Sequence, residues 1–69
     1  MNMIPVDSNN LAAVGDDQSS QTLVIQFHSG TYKYTSVPKH IYDGLMSSSS
    51  KGKYHHANIK NDYRYVKIG

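Results

Sequence analysis

Several residue types that equip small proteins for special chemistry are missing from this chain. Its 69 residues include no cysteine and no glutamate. Without cysteine, neither a disulfide framework nor a thiolate metal site can stabilise the fold. Aspartate is the only acidic residue, its five copies are scattered through turn-like segments, and no spacing brings two histidines together across a cleft. Acid–base catalysis requires positioned groups within hydrogen-bond reach, so we expect a protein that is not an enzyme.

Long apolar runs are also missing. No segment reaches the length of a membrane span or of a signal-peptide core, and we expect a cytoplasmic protein with no membrane partner, in the host cytoplasm if a phage encodes it. A chain of this length forms one domain, residues 1–69, with residues 1–5 as a loose lead-in and either Met1 or Met3 as the native start. So short a chain buries only about 60% of its unfolded surface, and forming a homo-oligomer is one way to add burial.

Basic residues are missing from the first thirty positions. All seven lysines and arginines follow Gly30, where only Asp43 and Asp62 oppose them, whereas the first thirty residues hold three aspartates. Such a charge asymmetry favours an anionic partner for one side of the fold. A solvated basic face without a partner is the alternative that the composition leaves open.

The residues that are present are organised around the stretch 22–46. Apolar and polar residues alternate over Thr22–His28 and again over Thr31–Thr35, which is the period of a β-strand. Ser29-Gly30 lies between them, and glycine supplies the positive φ that a two-residue hairpin turn requires. The pattern therefore predicts a β-hairpin.

The position of the turn decides which side chains face each other. With Ser29-Gly30 as the loop, Phe27 lies opposite Tyr32 and Ile25 lies opposite Tyr34, so both tyrosines share the apolar face of the first strand. We therefore expect both tyrosines in the core. A three-residue loop would place them on the other face, because a one-residue slip exchanges the two faces of a strand.

The segments before the hairpin are shorter and less clearly patterned. Leu11–Val14 is an apolar run that could form an edge strand, although it is too brief to be distinguished from helix by its pattern alone. The polar segment 15–21 is typical of a turn. The first 35 residues are thus expected to form a three-stranded antiparallel meander.

Two helices and a last strand are predicted after the hairpin. Pro38 suits the first turn of a helix that continues with an apolar stripe. Four serines form a linker, and Ser50 is a candidate N-cap for a second helix over residues 51–60, after which residues 63–68 alternate as a strand. The expected fold class is α+β, an antiparallel three-stranded β-meander followed by two helices and a final strand that completes the sheet. Its core motif comprises Phe27, Tyr32, Tyr34, Ile41 and Leu45.

The best candidate for anion recognition is the segment Ser47–Lys53. Serine hydroxyls, a flexible Gly52 and two ammonium groups lie where a helix N-terminus offers unpaired N–H groups, and this combination favours phosphate. The segment is not a Walker loop, because Gly52-Lys53 is followed by Tyr54. An ordinary linker and helix cap is the alternative. The predicted phosphate-binding residues are Ser50, Lys51, Gly52, Lys53, Lys33, Lys60, Arg64 and Lys67.

Aromatic and basic residues also alternate, in the triplets 32–34 and 63–65. In single-strand binders, aromatic rings stack on bases while cations follow the backbone. Because the first pair of tyrosines is expected in the core, the candidates for stacking are Tyr54, Tyr63 and Tyr65. His55 and His56 point about 100° apart on a helix and cannot readily chelate one metal, so we expect neither a metal site nor another cofactor.

An ordered series of short motifs gives the chain a family resemblance. The series comprises Ile4-Pro5-Val6-Asp7-Ser8, Asn10-Leu11-Ala12-Ala13-Val14-Gly15, Phe27 with Gly30, Tyr32-x-Tyr34, Val37-Pro38, Tyr42-x-x-Leu45, Ser50-Lys51-Gly52, Tyr54, Ile59, Tyr63-x-Tyr65 and Ile68. In this order the motifs resemble the KTSC domain, which is named for the C-terminus of some lysyl-tRNA synthetases and also occurs as a stand-alone bacterial or phage protein. The likeness covers nearly the whole chain, although Asp16 stands where an aromatic residue is common.

The resemblance implies a compact α+β domain with an antiparallel sheet and helices, and an RNA-binding role inferred from the synthetase context. It implies no catalytic residues. We therefore expect a non-catalytic module that binds RNA or another phosphate-bearing polynucleotide through its basic C-terminal half. Two alternatives stay open, namely a small oligomeric protein that sequesters a nucleotide or signalling ligand, and a protein–protein interaction adaptor.

Overall fold

The structure is a computed structural model that describes residues 1–69. Its elements in chain order are β1 Met3–Pro5, β2 Leu11–Asp17, β3 Thr22–Phe27, β4 Gly30–Tyr34, α1 Lys39–Ser47, α2 Lys51–Asn58 and β5 Tyr65–Lys67. The strands form one sheet in sequential order, and each neighbouring pair is antiparallel. The α+β class, the two helices and the closing strand are confirmed.

Four strands precede the helices, and the predicted number of three is wrong. Residues 3–5, expected within a loose lead-in, pair with residues 13–15 and form the edge strand β1. A segment of three residues is too short to show the alternation of a strand, so β1 is defined only by its pairing with β2. Pro5 is tolerated there because β1 lies at the edge of the sheet. Consequently β2 is an inner strand, and it continues through Asp17 into a segment expected to be a turn.

A β-bulge in β2 brings two apolar side chains to the same face. Leu11 and Ala13 pair with successive residues of β3, which leaves Ala12 as the extra residue. In a regular strand Leu11 and Val14 would point to opposite faces. With the bulge both are fully buried in the core.

The central hairpin forms as predicted, but its turn lies one residue earlier. The loop consists of His28 and Ser29, and Gly30 already belongs to β4. Cross-strand partners are therefore shifted by two residues, and an even shift leaves both tyrosines of β4 on the face predicted for them. Glycine suits this position because its φ is +158° and because a Cβ would lie 3.1 Å from the carbonyl oxygen of Gly69.

One face of the sheet, which we call the front face, carries the helices and the core. Of the predicted core motif, Tyr34 and Leu45 are buried, whereas Phe27, Tyr32 and Ile41 are half-buried against the core. The hydrophobic core is a cluster of eight buried residues, namely Leu11, Val14, Leu23, Ile25, Tyr34, Val37, Leu45 and Ile59.

Both helices lie close to their predicted positions. Pro38 is the N-cap of α1, so it precedes the first turn instead of belonging to it. Ser50 is the N-cap of α2, as predicted, although its side chain makes no capping hydrogen bond. Neither helix is long and apolar enough to cross a membrane.

The two helices approach each other closely at Gly44. A Cβ at this position of α1 would lie 2.7 Å from Cζ of Tyr54, which belongs to α2. Side-chain atoms do not approach this closely without displacement, so the glycine makes room for the tyrosine ring. Contact between the two helices therefore explains the glycine.

Asp16 is a polar residue on the front face, opposite Leu23. Its Oδ1 atom is buried without a hydrogen-bond partner, while Oδ2 accepts from Gln18. Burial raises the pKa of Asp16, and the neighbouring charges of Asp17 and Asp43 raise it further. The carboxylate is therefore a polar group among the apolar side chains that β2 and β3 place on this face.

Candidate nucleic-acid interface

The segment predicted to bind phosphate lines a wide concavity of about 830 Å³. One wall comes from residues 49–53 at the start of α2, and the other comes from the loop 7–10 before β2. His55, His56 and Lys60 complete the lining, which contains no apolar residue. We call this concavity the polar groove.

Local hydrogen bonds shape the start of α2. The Ser50 N–H donates to Ser48 Oγ at 3.1 Å, and Lys51 Nζ donates to the Ser48 carbonyl at 3.0 Å. Because the Ser50 hydroxyl is not used as a cap, the first-turn N–H groups of α2 lack a side-chain acceptor. Lys53 is exposed and forms no ion pair, so its charge faces the groove unneutralised.

A second concavity, of about 700 Å³, lies beside the last strand. Its basic lining residues are Lys33, Lys60 and Arg64, and no acidic residue contributes to it. We call it the β5 groove. Because Lys60 also lines the polar groove, the two basic surfaces meet at this residue.

A third concavity, of about 240 Å³, lies on the front face and is walled by aromatic rings. Five rings form a closed circuit in which neighbouring centroids are 4.9 to 5.7 Å apart. We call it the aromatic groove. In circuit order the rings belong to Phe27, Tyr32, Tyr65, Tyr34 and His55, and the remaining lining residues are Ser29 and Lys60.

A hydrogen bond holds two of these rings together. The Tyr34 hydroxyl lies 2.7 Å from Nε2 of His55. Burial raises the pKa of Tyr34 to about 12. Burial also lowers the pKa of His55, and the charges of Lys60 and His56 lower it further. Both groups are therefore uncharged at neutral pH, and the tyrosine hydroxyl can donate to the imidazole.

The predicted phosphate-binding residues fall into two groups and one outlier. Residues 50–53 and Lys60 line the polar groove, while Lys33, Arg64 and again Lys60 line the β5 groove. Lys67 lines neither groove, since its side chain packs over Gly30 at the front-face edge. The remaining basic residue of the chain, Lys39, is ion-paired with Asp43 at 2.9 Å and lies outside both grooves.

The predicted stacking residues differ in how available they are. Tyr54 packs against Gly44 between the helices, and Tyr63 lines the β5 groove while packing against the core. Tyr65 is 54% exposed and lines the aromatic groove. Tyr32 lines the same groove and is half-buried against the core.

Sequence reasoning missed the aromatic groove itself. The alternation correctly places Tyr32 and Tyr34 on the helix-bearing face, but it carries no signal for how far the helices extend over that face. His55 reaches the groove from α2 and contacts Phe27 and Tyr34. No cluster of three or more histidine or aspartate side chains forms a metal-binding arrangement.

The fold belongs to a known class of small domain. The chain is a member of the KTSC domain family, whose sequence profile matches residues 7–63. A crystal structure of a KTSC domain protein from Yersinia pestis superimposes with a TM-score of 0.95 at 36% identity, over 99% of this chain and 97% of that one.

Similar sequences occur in proteins of two sizes. A protein from Tsukamurella paurometabola is 34% identical over 96% of this chain and 100% of its own length. Lysine–tRNA ligases from a Nostoc species and from Trichormus variabilis are each 36% identical over 53 residues, which cover 75% of this chain and 9% of the ligase. The domain thus occurs both as a small protein of this length and as a minor part of a large enzyme.

Proposed function

We propose that this chain is a non-catalytic module that binds RNA, with phosphate groups of the RNA backbone lying in the polar groove and the β5 groove. The observation that carries this proposal is the continuity of the two grooves at Lys60. Between them the grooves hold one acidic residue, Asp7, and the basic residues Lys33, Lys51, Lys53, Lys60 and Arg64.

Electrostatics gives this surface its affinity for a polyanion. Each phosphate neutralised by a lysine or arginine releases condensed counterions, which makes binding favourable at low salt and weaker as salt rises. The start of α2 adds unpaired N–H groups that favour a phosphate oxygen. With overall dimensions of 28 × 24 × 23 Å, the domain can contact only a few nucleotides, so we expect modest affinity that grows with RNA length until both grooves are occupied.

The related ligases support a nucleic-acid partner, because their name states that they act on a tRNA. We assign no catalytic step to the module. His55 is engaged by its hydrogen bond with Tyr34, and no carboxylate lines the aromatic groove beside it. Asp7 and His56 line the polar groove, but neither is hydrogen-bonded to His55, whereas general acid–base catalysis needs positioned groups within hydrogen-bond reach.

The test is a titration of labelled RNA with the protein, followed by fluorescence anisotropy at two salt concentrations. The probes are single-stranded RNAs of two lengths, a tRNA and a panel of mononucleotides. The double variant Lys51→Ala/Lys53→Ala should weaken binding of every RNA and reduce the slope of log affinity against log salt by roughly 0.7 for each phosphate that is no longer neutralised. Lys39→Ala is the matched control, because this lysine lies on a helix outside both grooves.

Three results would contradict the proposal. Affinity that does not change with salt would exclude a phosphate-binding surface. A mononucleotide that binds as tightly as the longer RNA would indicate a protein that sequesters a small ligand. No binding of any nucleic acid or nucleotide would leave a protein-interaction adaptor as the function to pursue.

A further inference from the structure

We infer that the aromatic groove is a subsite for one unpaired nucleobase of the bound RNA. This inference rests on the proposed function and adds to it a preference for single strands. It assigns to Tyr32 and Tyr65 a stacking role on the front face, while the backbone phosphates occupy the neighbouring basic grooves.

The walls of the groove suit a flat heteroaromatic ring. Five aromatic side chains surround it, and each is in ring-to-ring contact with the next. Every nucleobase has a π-face that stacks on such rings. A cavity of about 150 Å³ suffices to hold a benzene ring inside a protein, and the aromatic groove, at about 240 Å³, is larger.

The groove is open, in contrast to the core beside it. Tyr34 on the inner side is 3% exposed, whereas Tyr65 on the outer side is 54% exposed. Tyr65 and the half-buried Tyr32 together leave aromatic surface in contact with water at one place on the front face. A base entering from solvent would cover the exposed rings without displacing a helix.

The charge at the groove selects a base over a cation. Aromatic clusters also bind ammonium groups, but Lys60 lines this groove and would repel a cationic ligand. A nucleotide instead brings a phosphate attached to its base. Because Lys60 lines all three grooves, a base in the aromatic groove places its own phosphate beside the junction of the polar groove and the β5 groove.

The polar lining predicts little discrimination among bases. Apart from Lys60, the groove offers the hydroxyls of its tyrosines and of Ser29, and the hydroxyl of Tyr34 is already engaged with His55. Sequence-specific reading needs hydrogen bonds to the edges of a base, whereas stacking tolerates every base. We therefore expect a subsite that distinguishes a base from no base, and single strands from duplexes.

The test compares single-stranded RNA with an abasic strand of the same length and with a duplex. Wild-type protein should bind the single strand about five-fold or more tightly than the abasic strand. Tyr65→Leu should abolish this preference, so that the normal and abasic strands bind with the same affinity. Tyr65→Phe keeps the ring and should keep the preference. Ring-proton NMR signals of Tyr32 and Tyr65 in the wild-type protein should shift with the single strand and not with the abasic one.

The outcomes separate this inference from the proposed function. Equal, salt-dependent binding of the normal and abasic strands by wild-type protein would overturn the base subsite and leave the phosphate surface standing. Absence of binding to any of the strands would overturn the proposed function and the subsite with it. If Tyr65→Leu does not give a native amide spectrum, Tyr32→Leu is the second variant. The shifts of the ring protons in wild-type protein test the base subsite without either variant.

Discussion

In both halves of the front face, every second residue of a strand points inward, but these inward side chains differ in how far they are buried. On the half formed by β2 and β3, the inward side chains Leu23 and Ile25 are fully buried together with Leu45 of α1. On the half formed by β4 and β5, the inward side chains Tyr32 and Tyr65 remain in contact with solvent. The difference lies in what packs over each half. Leu45 of α1 joins the core with Leu23 and Ile25, whereas α2 reaches the second half through His55, whose ring packs against Tyr34.

The comparison shows that, in a chain of 69 residues, one half of the sheet stabilises the fold while the other half keeps side chains available for binding. The covered half removes aliphatic surface from water, which is the main favourable contribution to folding. The uncovered half keeps aromatic and basic groups accessible. Tyr34 lies between the two halves. It is buried like the side chains of the first half, and its ring contacts the rings of His55 and Tyr65 in the aromatic groove.

The largest expected effect comes from a cavity in the covered half. Leu45→Ala should lower the free energy of unfolding by about 2–5 kcal/mol, because a fully buried leucine leaves a void that its neighbours fill only in part. The measurement is urea denaturation followed by circular dichroism. In the open half, Tyr65→Leu should cost less than about 1 kcal/mol, since the ring is 54% exposed. If both variants lost equal stability, the distinction between the two halves would be wrong.

A smaller effect is expected where the covering helices meet. Gly44→Ala should destabilise the protein by about 1–3 kcal/mol, because the added methyl group would overlap the Tyr54 ring. The substitution gains about 1 kcal/mol in helix propensity, so it would be stabilising if the ring could move freely. In a Tyr54→Leu background the penalty should disappear, and denaturant titration of the two single variants and the double variant measures this coupling.

The smallest expected effect is a pH dependence of the free energy of unfolding that arises from His55, the hydrogen-bond partner of Tyr34. The pKa of His55 is lowered in the folded protein, chiefly by burial, so the unfolded chain takes up the proton first as pH falls below about 6.5. The free energy of unfolding should therefore be highest above this pH and should decline as pH falls towards the folded-state pKa. His55→Gln should flatten the decline, as measured by thermal unfolding from neutral to mildly acidic pH. His56→Gln removes only the last of the three causes that lower the pKa of His55, so it should change the decline much less, and an equal response of both variants would contradict this assignment.

Local periodicity was sufficient for much of this structure. The hairpin, the two helices and the face on which Tyr32 and Tyr34 lie follow from alternation and turn chemistry, which depend only on near neighbours in the chain. The predicted location of the turn was wrong because Gly30 pairs with Phe27 as the first residue of β4. There it lies close to the backbone carbonyl of Gly69 at the end of the chain, and no local rule contains that contact.

The candidate site divides in the same way. That residues 50–53 form one anion-attracting segment could be inferred from serine, glycine and lysine preceding a helix. The meeting of Lys33, Lys60 and Arg64 in one groove depends on strand pairing between residues far apart in sequence. The aromatic groove depends in addition on α2, which places His55 against Phe27 and Tyr34.

The order of residues alone therefore accounts for the element types, the apolar face of the sheet and the excess of positive charge after residue 30. Packing between distant segments was needed to establish that β1 forms, that Lys60 joins the three grooves, and that Tyr34 is buried while Tyr65 is not. The reason is physical: periodicity assigns a side chain to a face, but its burial depends on which distant segment packs over it.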